Sequence, residues 1–182
     1  RTEKKLKFLG APGAHLVLYS VRNRDSAIAK VLAHLLALGE KNNRENNCIY
    51  VSLNKECDLI RKKFIKGSIA ASQLYFIEIS SHPKEQTCKD CWHVSSPYAL
   101  TELSLAINTL LSSGKSKFLI FDSLDMLEVY HDPKTIEKFI HYLAMMLHKY
   151  DLSGIILGSD GKKKSRLLSL VMHICDDTNE LR

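Results

Sequence analysis

Five short apolar runs, each followed by a stretch of helical periodicity, set the tightest limit on what this chain can fold into. They are HLVLYS (His15 to Ser20), CIYVSL (Cys48 to Leu53), QLYFIEI (Gln73 to Ile79), KFLIFDS (Lys117 to Ser123) and GIILGS (Gly154 to Ser159). Each is short and apolar almost throughout, the signature of a strand buried on both faces. Helical spacing fills the intervals: Ile28, Leu32, Leu35 and Leu36 from about Asp25 to Leu38; a basic amphipathic stretch from Glu56 to Ile65, stopped by Gly67; and Leu100, Leu103, Ile107, Leu110 and Leu111. A further helix starts at Asp132–Pro133 and carries Ile136, Phe139, Ile140, Leu143 and Leu147 on one face, and a last one carries Leu167, Leu170, Val171 and Ile174. The closing DDTNELR leaves room for a truncated final strand, while Ser80 to Pro97 is the longest irregular stretch. Strand and helix in alternation predict an α/β three-layer sandwich, a mostly parallel sheet with helices on both faces. In such a sheet ligands sit beyond the carboxyl ends of the strands, so the residues following each strand carry the functional information.

The chain has 182 residues, 45% of them apolar and 25% charged, which suits one domain over residues 1–182 with a basic lead-in at 1–13. A core of this size needs neither a disulfide nor a metal for stability, since folding buries roughly 70% of the unfolded surface. The longest apolar run, Ala27 to Leu38, is interrupted by Lys30 and His34 and is too short to span a bilayer, so no membrane partner is expected. No export signal is legible and the cysteine count is odd, five, so reduced thiols in a cytoplasmic protein are expected. The sequence does not open on Met and is expected to be a piece of a longer chain.

Strand-end residues carry a resemblance. HLVLYS entering a helix, CIYVSLNKE, LYFIEI and above all KFLIFDSLDML resemble the RecA/KaiC-like P-loop ATPases, and most closely the archaeal KaiC-like branch whose phosphate loop is eroded. The likeness runs over roughly residues 14 to 181, and FDS is similar to the Walker B strand end of that family. It implies a RecA-like fold, with Asp122 and Ser123 in the magnesium-side positions and the residual nucleotide site at Ser20, Arg22, Arg24, Ser26, Asn54, Asp122 and Ser123.

Two departures speak against turnover. A working phosphate loop needs G-x-x-x-x-G-K-[ST], with glycines to turn N–H groups inward, a lysine for charge and a hydroxyl for magnesium. The eight residues here are SVRNRDSA, which put Ser20 and Asp25 at the glycine positions, Ser26 at the lysine and Ala27 at the hydroxyl. Asp25 or Ser26 reads instead as a helix N-cap, and a carboxylate there repels phosphate. Arg22 and Arg24 could approach an anion, or be solvated loop arginines. The carboxylate that the family places after the second strand is missing too, since Asn54 and Lys55 follow it and Asn cannot take a proton from water. Asp122 and Ser123 could equally be a polar strand end bonded to neighbouring loops. The expectation is a catalytically degenerate domain serving as a regulatory or protein-interaction module, with no cofactor, and a weak ATPase or ATP–magnesium binder on an unconventional loop as the alternative.

CKDCWH holds Cys88 and Cys91 at a spacing that suits zinc, with His93 and His82 close by; a redox pair and two plain loop thiols are the other readings. Cys48 and Cys175 read as small core residues and Cys57 as the start of a helix. Net charge is +6, from 26 Lys and Arg against 20 Asp and Glu. RKKFIK (Arg61 to Lys66) and KKKSR (Lys162 to Arg166), with Lys4, Lys5 and Lys7, could form a nucleic-acid groove, or a solvated helix face and loop. His34, His141 and His148 show no ligand spacing. Tyr142, Met145 and Met146 on the Pro133 helix suit either a core or a subunit interface.

Overall fold

The structure, a computed structural model, describes residues 10–40, 47–65, 74–79, 90–162 and 165–181. Seven strands form one sheet: β1 (Gly13–Tyr19), β2 (Asn47–Ser52), β3 (Leu74–Ile79), β4 (Cys91–Val94), β5 (Ser116–Asp122), β6 (Ser153–Ser159) and β7 (Asp177–Leu181). Their order is β4-β3-β2-β5-β6-β1-β7, and every neighbouring pair is parallel. The helices are α1 (Arg24–Glu40), α2 (Cys57–Ile65), α3 (Leu100–Ser112), α4 (Leu124–Tyr130), α5 (Pro133–Lys149) and α6 (Arg166–Ile174).

From β1 to β4 the chain moves across the sheet in one direction, and from β4 to β7 it moves back. Right-handed crossovers therefore send the helices to opposite faces. The two buried clusters show this partition. Ala27, Ile28, Val31, Leu32 and Leu35 of α1, with Cys57 and Ile60 of α2, pack on Val17, Cys48, Tyr50, Phe76, Phe118 and Ile120. On the other face, α3 to α6 bring Leu103, Ile107, Leu127, Ile140, Leu147 and Leu167 against Leu16, Ile49, Leu119, Phe121 and Ile156. The three-layer α/β sandwich expected from the periodicity is thus the architecture, with the parallel pairing complete among the described residues.

The structure corrects the reading in two places. Ser80 to Pro97 is not irregular throughout: Cys91 to Val94 pairs with Phe76 to Ile79 as the edge strand β4. Leu124 to Tyr130, which no periodicity marked, is the short helix α4, held to the sheet by buried Leu124 and Leu127. DDTNELR does supply a last strand, β7, on β1.

Local chemistry fixes the ends. Asp132 caps α5, its carboxylate accepting from the N–H groups of Lys134 (3.0 Å) and Thr135 (3.1 Å) and from the Thr135 hydroxyl (2.6 Å). Those bonds, the Thr135 hydroxyl's foremost, hold the Asp132 carboxyl below its ordinary range. A carboxylate depressed on folding stabilises the native state above its unfolded pKa and loses that contribution as pH falls through the lower folded value. Thermal melts should therefore fall in Tm as pH drops below about 4, and Asp132→Ala should make that slope shallower. An unchanged slope would remove Asp132 from the acid response. At the other end of the sheet Gly13 has φ +122°, and a Cβ there would overlap the Asp176 carboxylate. That carboxylate accepts from Ala14 N–H at 2.9 Å and pairs with His148 at 3.1 Å.

Candidate strand-end site

Side chains on one strand alternate between faces, so Phe118, Ile120 and Asp122 of β5 all point toward α1, as do Tyr50 and Ser52 of β2 beside them. Asp122 is consequently a carboxylate at the floor of the helix–sheet interface, with no exposed surface. A buried charge needs partners. It has two: Arg24 Nη2, in the first turn of α1, reaches Oδ1 at 2.6 Å and Oδ2 at 2.5 Å, and the Tyr50 hydroxyl donates to Oδ2 at 2.5 Å. Burial alone would lower the Arg24 pKa, but the Asp122 carboxylate more than offsets it and holds the guanidinium above its usual value. Tyr50 is pushed well up, first by burial and then by the adjacent Asp122 charge, so its hydroxyl stays a donor.

The strand end continues sideways. The Asp122–Ser123 peptide is cis. Ser123 is buried beside the Tyr19 hydroxyl, whose pKa is raised by burial and by Asp125. Asp125, in the first turn of α4, accepts from the backbone N–H and the hydroxyl of Ser159, both at 2.9 Å, and so ties α4 to the end of β6.

Of the seven residues expected at a residual nucleotide site, Arg24 and Asp122 are bonded to each other. Ser123 lies at Tyr19, next to half-buried Ser20, while Arg22, Ser26 and Asn54 are exposed. Arg24 is thus not a solvated loop arginine. A 3₁₀ turn at Val21–Asn23 runs straight into α1, which carries Arg24 inward. The same turn overturns the expected cap, because Asp25 and Ser26 both fall inside α1. Asp25 instead bonds Lys63 of α2 and lies 3.9 Å from Lys55; the Lys63 bond, chiefly, lowers its pKa.

No family model matches this chain, and no curated protein matches it either. Strand-end geometry alone therefore bears on function. Tyr50 and Tyr19, which sequence reasoning passed over, complete that geometry. The available signal was a phenol in an otherwise aliphatic strand, since a buried hydroxyl must find a partner.

The CKDCWH readings divide. Cys88 and His82 lie outside the described residues, and Cys91 is half-buried at the start of β4. His93 Nδ1 lies 3.0 Å from Glu78, a buried carboxylate that also accepts from the first N–H of α2, at Cys57. Among the described residues no three His, Cys, Asp or Glu side chains converge on a metal-sized site. Cys48 is buried, as expected of a core residue, and burial pushes the Cys175 thiol up to about 12.

The basic run of α2 is not a uniform solvated face. Arg61 stacks over Phe76 at 5.0 Å and pairs with Asp90 at 3.7 Å, and Lys63 is engaged by Asp25, leaving Lys62 exposed. Lys66, Lys163 and Lys164 lie outside the described residues. On α5, Met146 is buried and Met145 is exposed, so that helix supplies core and surface at once. No described helix is long and apolar enough to cross a membrane.

Proposed function

We propose that this chain is a RecA/KaiC-like domain that has given up ATP hydrolysis and serves as a regulatory or protein-interaction module. The observation that carries the proposal is the Arg24 guanidinium on both oxygens of Asp122. In the family the corresponding carboxylate faces magnesium; here its charge is spent on an arginine of the same chain, and that arginine is equally unavailable to a phosphate. The loop SVRNRDSA adds no lysine and no glycine to compensate. Support for the interaction role comes from the surface: Tyr98 is 67% exposed, edge-on to Tyr130 at 5.3 Å, and neighbouring Val129 is 66% exposed.

Isothermal calorimetry with ATP and magnesium tests the proposal. Titration should give no saturable heat in the micromolar range, and phosphate release should stay at the buffer rate. Micromolar binding, or turnover abolished by Asp122→Asn, would instead make Arg22, Arg24, Asp122 and Ser123 an unconventional nucleotide site and overturn the degenerate reading.

A further inference from the structure

A cavity of about 210 Å³ opens between α1 and α2, one layer out from the Arg24–Asp122 pair. Its walls are apolar, from Ile28 on α1 and Leu59 and Ile60 on α2, with Tyr50 at the floor. Three cations reach it: Arg24, Lys55 and Lys63. Two carboxylates answer them. Asp122 takes Arg24, and Asp25, itself part of the cavity lining, is shared by Lys55 and Lys63 and also lies 3.8 Å from Arg24. Among the described residues one positive charge is left over beside an apolar wall. Lys55 is the less well compensated, 3.9 Å from Asp25, and burial followed by the Arg24 charge lowers its pKa.

We propose that this cavity binds a small organic monoanion, a carboxylate with a short aliphatic body, the head group at Lys55 and Lys63 and the body against Ile28, Leu59 and Ile60. Pockets that combine apolar lining with a few convergent charges are the usual form of small-molecule sites. The volume equals roughly seven waters at about 30 Å³ each, which suits an eight-heavy-atom ligand such as hexanoate. A ligand that small, held by one charge pair and apolar contact, should bind with Kd on the order of 1 mM. The cavity shares Arg24 and Tyr50 with the strand-end cluster, but its head-group cations, Lys55 and Lys63, are not among the residues of the ATP reading, so a hexanoate titration and an ATP titration test separate groups.

Hexanoate, hexanol and inorganic phosphate, each titrated into ¹⁵N-labelled protein, separate the contributions. Hexanoate should shift the amides of Ile28, Ile60 and Lys63 saturably. Hexanol, which lacks the charge, and phosphate, which lacks the body, should each bind at least tenfold more weakly. Lys55→Met keeps the aliphatic stem and should cost hexanoate at least tenfold in affinity, whereas Lys62→Met, on exposed surface, should leave it unchanged. Leu59→Asp alters a side chain that is 58% exposed and puts a carboxylate at the mouth, so it should abolish binding without affecting the fold. Equal binding of hexanol or phosphate, shifts confined to other surfaces, or no saturable shift at 10-fold the expected Kd (about 10 mM) would each overturn the proposal.

Discussion

Arg24→Met should destabilise the domain by about 3–5 kcal/mol in urea denaturation, because it strands the Asp122 carboxylate where no water reaches it. Removing the other partner should cost less. Asp122→Asn leaves Arg24, whose side chain is 19% exposed and can turn its charge toward solvent. The double variant, with neither charge, should be more stable than Arg24→Met alone. That reversal of order is the diagnostic feature, since an ion pair worth only its mutual attraction would make the double variant no better than the worse single one. Tyr50→Phe removes a single hydrogen bond to the same carboxylate and should rank below both charge removals, at about 1.5–3 kcal/mol for a bond to a charged group.

The second large effect concerns how close α5 lies to the sheet. A Cβ on Gly154 would overlap the Leu147 methyl groups, and both residues are fully buried. Gly154→Ala should cost about 1–3 kcal/mol by overpacking, and Leu147→Ala about 2–5 kcal/mol by leaving a cavity. The new methyl would occupy part of that cavity, so the double variant should lose clearly less than the sum of the two. Strict additivity would mean that α5 shifts away as a body rather than clashing at this point. The same measurement therefore reports how rigidly the four-helix face is packed.

What was legible in the sequence followed from periodicity. The five apolar runs and the long helices announced themselves because burial on both faces, or on one helical stripe, leaves a regular trace. Elements too short to establish a period did not. β4 has only four residues, with His93 exposed, and α4 follows β5 so closely and is so short that Leu124 and Leu127 set no helical period of their own. The site was half legible. FDS marked Asp122 and Ser123 as a polar strand end, and that is where the buried hub lies. Its partners were hidden because hydrogen-bonded neighbours depend on strand order, which no local pattern encodes. Only when β5 inserts between β2 and β6 does Asp122 come beside Tyr50 and beneath the first turn of α1. Arg24, 98 positions earlier, gives no sign of this in its own surroundings.

Strand order also has a consequence for how the protein can be made. Among the described strands β1 comes first in the chain, yet its neighbours are β6 and β7, the last two. A ribosome adding about 5–20 residues per second exposes β1 many seconds before either neighbour exists. Nascent chains up to β5 can assemble β2 through β5, but β1 and α1 must wait beside them, and the Arg24–Asp122 pair cannot be properly enclosed until β6 emerges. β1 is the keystone set last, and any break in synthesis before residue 153 leaves both its hydrogen-bonding edges unpaired, open to chaperones or aggregation.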